Sequence, residues 1–154
     1  MGNTFIAKEV EKIMNSKEFE YPLNLAMTCA WIMGSFKAVD LKILKVTKLT
    51  SIAEYFVLAS TANSVQALSI ADEIIQNAKK YNQPILSQEG KGDSDWVLLD
   101  LGDVIVHLFD ETARDKYALD DLWANAESIK IPDSYYYSHP ELDNKSNEPQ
   151  GNYF

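Results

Sequence analysis

The sequence predicts an α/β (α+β) domain in which helices cover one face of a sheet. Three features carry that prediction. Residues 95–109, DWVLLDLGDVIVHLF, place two β-rich runs on either side of a short break containing Gly102. Residues 41–46 (LKILKV) and 55–59 (YFVLA) are two more β-rich runs. Residues 65–80 then repeat apolar side chains near the helical period, at Val65, Leu68, Ala71, Ile75 and Ala78, with Ile70 and Ile74 widening the stripe.

The stretch 95–109 organises the rest. A Gly in a short loop between β-branched runs marks a tight hairpin, because Gly accepts positive φ without steric cost. With Leu101-Gly102 as the two-residue loop, Asp100 faces Asp103, Leu98 faces Ile105 and Trp96 faces His107. Side chains alternate along a strand, so those six share one face. The other face carries Val97, Leu99, Val104, Val106 and Leu108; it is wholly aliphatic and needs helices above it. The mixed face joins an indole, an imidazole, two branched aliphatics and two carboxylates. One reading is that the acids only solvate the turn. The sharper one is that this face stays partly open and docks a basic partner.

Composition narrows the class. A chain of 154 residues suits one domain with tails. A formal net charge of −9 argues against binding bare nucleic acid, whose phosphates need clustered Lys and Arg, and suits a basic protein partner. Arg114 is the single arginine, too little for a phosphate-gripping set. Cys29 is the single cysteine, which excludes an intrachain disulfide and suits a reducing compartment. With His107 and His139 as the two histidines, no metal site is expected. The first residues show neither a signal-peptide nor a transit-peptide pattern. Residues 23–36 are strongly apolar but shorter than the ~20 residues that span a bilayer. The expectation is a cytoplasmic protein without membrane contact.

In chain order, residues 1–22 place Ile6, Val10, Ile13 and Met14 on one face of a short helix, read as an N-terminal extension that docks weakly or not at all. Residues 23–36 are apolar almost all round, at Leu23, Leu25, Met27, Trp31, Ile32, Met33 and Phe36. That marks a buried helix or, through its Met and Trp, a self-association surface. Gly34-Ser35 ends or bends it. Asn63 or Ser64 caps the helix at 65–80, and Lys79 and Lys80 suit its C-terminal dipole. Ile85-Leu86 is a candidate short strand. Residues 88–95 (QEGKGDSD) read as a flexible polar loop that fits no phosphate-binding pattern, and its acids repel anions. Asp110 caps a further helix, and Leu119, Leu122, Trp123 and Ala126 form a core-facing stripe. From residue 127, Pro, Ser, Asn and the run Tyr135-Tyr136-Tyr137 mark an irregular C-terminal tail. The domain proper is therefore 23–126, flanked by 1–22 and 127–154.

Catalytic chemistry is hard to find. Asp100 with Asp103 is the best carboxylate pair for acid–base work or magnesium, yet no basic residue stands beside it to bind a phosphate. His107 lacks a Ser or Cys nucleophile at triad spacing. Cys29 falls inside an apolar helix, where a thiol is inert. No cofactor is expected.

At these residues the chain resembles a known family. Glu89-Gly90, then DWVLLDLGDVIVHLF, then Arg114, Tyr117, Leu119 and Leu122-Trp123 resemble the ribosomal silencing factors (RsfS, also called Iojap). Residues 51–74, SIAEYFVLASTANSVQALSIADEI, with the pair Ala71-Asp72, resemble the same family. The resemblance spans 23–126, and its specific part is the hairpin block. It implies a mixed five-stranded sheet with helices, a nucleotidyltransferase-like fold lacking catalytic residues. It also implies binding to the large ribosomal subunit through ribosomal protein L-fourteen. That would block subunit joining sterically and lower translation under nutrient limitation, with no enzyme activity. Together with the mixed face, it makes Trp96, Leu98, Asp100, Asp103, Ile105, His107, Glu89, Arg114 and Tyr117 the expected partner-binding residues. A homodimer when the chain is free stays an open alternative. A nucleotidyltransferase-like enzyme would need a Gly-Ser followed by a spaced Asp-x-Asp, and Gly34-Ser35 precedes only Asp40. Lys45 stands where the family usually has an aspartate before Val46; the first helix is also more apolar and the tails longer. These departures bear on dimer and tail contacts and leave the hairpin block untouched.

Overall fold

The computed structural model describes residues 4–90 and 94–137. Among them the chain runs α1 (Thr4–Met14), α2 (Leu23–Ser35), β1 (Val39–Lys45), β2 (Tyr55–Thr61) and α3 (Ser64–Lys80). It continues through β3 (Ser87–Glu89), β4 (Trp96–Asp100), β5 (Val104–Asp110), α4 (Glu111–Tyr117), α5 (Leu119–Leu122) and β6 (Glu127–Ile129), and ends in a 3-10 turn at Asp133–Tyr135. The strands form one mixed sheet in the order β3-β4-β5-β2-β1-β6. Only β2 and β5 are parallel neighbours.

The α/β (α+β) class holds, with one strand more than the expected five. The addition is β6, inside the segment expected to be irregular. Its composition carries no strand signal. It pairs because the outer edge of β1 offers open backbone donors and acceptors, with Ile43 opposite Ile129 and Lys45 opposite Glu127. The strand expected at Ile85-Leu86 begins two residues later, at β3. Leu86 N–H already donates to the Asp100 carbonyl at 2.8 Å, so the chain enters the ladder there.

Strand alternation sorts the core into two layers. On one face Ile43, Val57, Val97, Leu99, Leu101, Val104, Val106 and Leu108 pack under α2 and α3. The aliphatic face of the hairpin therefore has the helices it needs. On the other face Leu44, Phe56, Leu58, Ile105 and Phe109 form a smaller cluster with Ala113, Trp123 and Ala126 from the chain after β5. β2 is buried along its whole length because it lies between these two layers.

α2 is enclosed on all sides, buried from Asn24 through Gly34 between the sheet, α1 and α3. Its Met and Trp side chains are core, as the buried reading of this helix expects. The weak docking expected of residues 1–22 does not hold either. Ile6, Val10 and Ile13 are buried in the main core, and Asn24 Nδ2 donates to the Met14 carbonyl at 3.1 Å, tying the end of α1 to α2. An apolar stripe of four residues, Ile6, Val10, Ile13 and Met14, looks too small to commit a helix. Docking follows because α2 would otherwise expose its outer apolar side.

Both helix caps behave as their residues suggest. Asn63 Oδ1 accepts from Gln66 N–H at 2.9 Å, and Asp110 Oδ1 accepts from Ala113 N–H at 2.9 Å. The Ala113 amide, with Thr112, holds the Asp110 carboxyl below the usual carboxylate range.

The hairpin register differs from the expected one. The two-residue loop is Gly102-Asp103, closed by Leu101 N–H donating to the Val104 carbonyl at 2.9 Å. Gly102 takes φ +89°, which suits the first loop position of a II′ turn. Asp100 therefore pairs with Ile105, Leu98 with His107 and Trp96 with Phe109. The slip is two residues along the partner strand, so the side chains keep their faces while every cross-strand partner changes.

Candidate functional site

The mixed face is built by four adjacent strands. Register places Ser87 and Glu89 of β3 beside Asp100 and Leu98 of β4, then Ile105, His107 and Phe109 of β5, then Phe56, Leu58 and Ser60 of β2. The chain after β5 folds back over the β5–β2 half, where Trp123 meets Phe56 edge-on at 5.0 Å. Nothing among the described residues covers the β4–β3 half to the same degree. Trp96, Leu98 and Asp100 stay half-buried and Glu89 is exposed, whereas Ile105, His107 and Phe109 are buried.

Trp96 is the centre of an aromatic stack drawn from three elements. Its ring lies 5.0 Å from Phe109 of β5 and 4.6 Å from Tyr117 of α4. Its indole Nε1–H donates to His107 Nδ1 at 3.2 Å. Gly90, at φ +85°, lets the chain pass beneath this corner. A Cβ there would stand 2.2 Å from the Trp96 carbonyl oxygen, so no larger residue fits. Tyr117 is 40% exposed and forms the outer wall, with its hydroxyl 3.5 Å from Asp95 Oδ1.

His107 is 4% exposed, and burial pushes its pKa down to about 4. It is a neutral imidazole in an aromatic cluster, 4.9 Å from the Phe56 ring. Glu89, Asp95, Asp100 and Asp103 border the open half, while Lys116 sits over the Tyr117 ring at 5.4 Å. Asp100 also braces the turn, its Oδ1 accepting from Gly102 N–H at 2.8 Å. Asp103 is exposed in the turn itself, and its carbonyl accepts from the amides of Glu54 and Tyr55. The two carboxylates therefore do not face each other.

Of the expected residues, the fold brings Trp96, Leu98, Asp100, Ile105, His107, Tyr117 and Glu89 onto one face, with Asp103 at its lower end. Arg114 lies elsewhere. It is buried at the carboxyl ends of β2 and β5, donating to the Asp40 carbonyl at 2.5 Å, to Ser60 Oγ at 3.1 Å and to both oxygens of Asp120. Lys42 adds a 2.7 Å ion pair to the same Asp120 carboxylate. Burial alone would raise the Asp120 pKa, but Arg114 and Lys42 outweigh it and hold the carboxyl low. These groups line a concavity of about 810 Å³ with Asp40, Glu111 and Asp115, separate from the aromatic face. Arg114 thus pins α4, the helix that presents Tyr117.

Sequence reasoning missed Phe109 and Asp95 on this face and Asp120 as the partner of Arg114. The signal for Phe109 was Gly102, whose place as first loop residue sets the register. No helix among the described residues is long and apolar enough to cross a membrane, and no group of three His, Cys, Asp or Glu side chains among them is placed to hold a metal. His139 lies outside the described residues, as do 91–93 of the polar loop and 138–154 of the tail.

Comparison with known proteins gives the family of the chain. The ribosomal silencing factor RsfS of Haemophilus influenzae is 33% identical over 92 residues, spanning 60% of this chain and 90% of the relative. RsfS of Bacillus subtilis is 34% identical over 90 residues, spanning 58% of this chain and 76% of the relative. A crystal structure of a Bacillus halodurans protein superposes with a TM-score of 0.59 at 28% identity, covering 71% of this chain and 96% of that one. The named relatives are silencing factors, a regulatory role. The family model described as ribosomal silencing factor during starvation matches residues 6–152, so this chain belongs to the ribosomal silencing factor family.

Proposed function

We propose that this chain binds the large ribosomal subunit through its ribosomal protein L-fourteen and blocks joining of the small subunit. In the cytoplasm this represses translation when nutrients are scarce. The observation that carries the reading is the half-covered aromatic face. An indole held by Phe109, Tyr117 and His107, bordered by carboxylates, suits the contact centre of a basic protein partner. In this reading Trp96, Leu98 and Tyr117 make contact, while Glu89, Asp100 and Asp103 steer the approach. Ile105 and His107 support the face from below, and Arg114 holds α4 in place.

The mechanism is occlusion. Each bound copy removes one large subunit from the joining pool, no bond is made or broken, and neither nucleotide nor metal takes part. Sedimentation with purified large subunits, small subunits or neither tests the partner; the chain should travel with the large subunit alone. Titration into dissociated subunits without nucleotide tests the mechanism. Joining should fall in proportion to protein added, with a break near equimolar. Complete inhibition by a small fraction of an equivalent, or a need for added nucleotide, would overturn occlusion in favour of catalysis.

A further inference from the structure

We propose that His107 is the positioning residue of the docking face, its Nδ1 holding the Trp96 indole in the orientation a partner meets. This rests on the docking reading above and adds a device to it. Phe109 and Tyr117 enclose the indole, but ring contacts of that kind tolerate rotation. A hydrogen bond is directional, and the 3.2 Å bond to His107 is the polar contact that selects which indole edge turns inward.

The chemistry of the pair is one-way. Indole N–H is a donor only, so Nδ1 must be the acceptor and the imidazole proton sits on Nε2. An imidazolium has two donors and no acceptor and could not hold the indole. Burial among Phe56, Leu58 and Leu98 keeps the ring neutral, with a pKa near 4, so the acceptor persists at physiological pH.

Folding alone does not account for an imidazole here. Nε2 is buried and has no hydrogen-bond partner among the described residues. A half-satisfied polar ring in an apolar layer costs stability that an aliphatic side chain of similar size would not. A group kept at a cost in stability, and bonded to the half-exposed Trp96 indole at the uncovered half of the face, is placed for function.

The test separates positioning from packing. In the full chain, nuclear magnetic resonance follows hydrogen exchange of the Trp96 indole N–H, assigned by its loss in Trp96→Phe. His107→Leu should speed that exchange and weaken large-subunit binding, each about tenfold, while the thermal midpoint stays level or rises. His107→Asn carries its Oδ1 on Cγ, where histidine carries Nδ1, and should recover most of both. In the Trp96→Phe background, His107→Leu should add no further loss of binding. Unchanged indole exchange in His107→Leu, an equal binding loss in both backgrounds, or failure of His107→Leu to fold would each overturn the proposal. A wild-type chain that ignores large subunits would overturn the docking reading, and the indole exchange would still decide whether His107 orients Trp96.

Discussion

The two faces of the β4–β5 hairpin share the same five cross-strand pairs of backbone on either side of one turn, yet they differ in kind. The helix-covered face is uniform: Val97, Leu99, Leu101, Val104, Val106 and Leu108 are each at most 1% exposed. Its side chains are interchangeable in kind and contribute through area removed from water. The opposite face mixes an indole, an imidazole, a phenol and carboxylates, is only half covered, and contains a buried polar atom without a partner among the described residues. One face is closed and uniform. The other leaves a shaped, mixed surface accessible. A single alternation of side chains separates the two roles, so mutations one residue apart should have different signatures.

The largest expected effect tests the closed face. Leu99→Ala removes a fully buried side chain and should cost about 4 kcal/mol in urea unfolding, because the cavity cannot collapse between sheet and helices. Ribosome binding by the folded fraction should be unchanged. A cost under about 1 kcal/mol would mean this layer is looser than its burial implies.

Next in size is the pH response of the mixed face. His107 is neutral in the folded chain, with a pKa of about 4 against 6.5 for the ordinary group. Above pH 6.5 neither state binds the proton, and below 4 both do. Between them the unfolded chain takes up a proton that the folded chain refuses, so stability falls with falling pH by roughly 3 kcal/mol. Carboxylates also titrate near the lower end, so the difference between wild type and His107→Leu isolates the term. Parallel stability curves for the two proteins would show that His107 is not buried as a neutral ring.

Trp96→Ala, next to the buried Val97, sharpens the contrast further. Loss of an aromatic anchor commonly costs ~2 kcal/mol of binding, about thirtyfold in affinity, and here the domain should stay folded because the indole is half-exposed. Unfolding of this variant would make the mixed face core and erase the distinction.

The smallest effect concerns the acidic border. Asp100→Asn and Asp103→Asn should each lower the association rate a few-fold while leaving dissociation nearly unchanged, since exposed charges act over ~10 Å at 0.1 M ionic strength. Asp100 carries an extra duty at the turn, and asparagine keeps the acceptor for Gly102 N–H. A wild-type association rate indifferent to salt would remove the steering role.

Some of this is legible in the sequence alone. The alternation at residues 96–100 and 104–109, the caps at Asn63 and Asp110 and the all-round apolar character of α2 are settled within a few residues of chain. Pleat, capping geometry and helical period are local properties, so local sequence determines them. The tertiary structure decided the rest. The turn could close on Leu101-Gly102 or Gly102-Asp103, and the ladder to β5 and β2 selects the second, which brings Phe109 under Trp96. β6 forms because β1 has a free edge, and α1 docks because α2 has an uncovered side. Arg114 finds Asp120 six residues away and Asp40 and Ser60 far upstream, so its burial depends on the whole sheet being in place. The aromatic face needs β4, β5 and α4 together, and no single segment contains it. Hydrogen bonds and apolar contacts between distant segments leave no local signature, because the atoms that satisfy them are chosen only when the chain closes on itself.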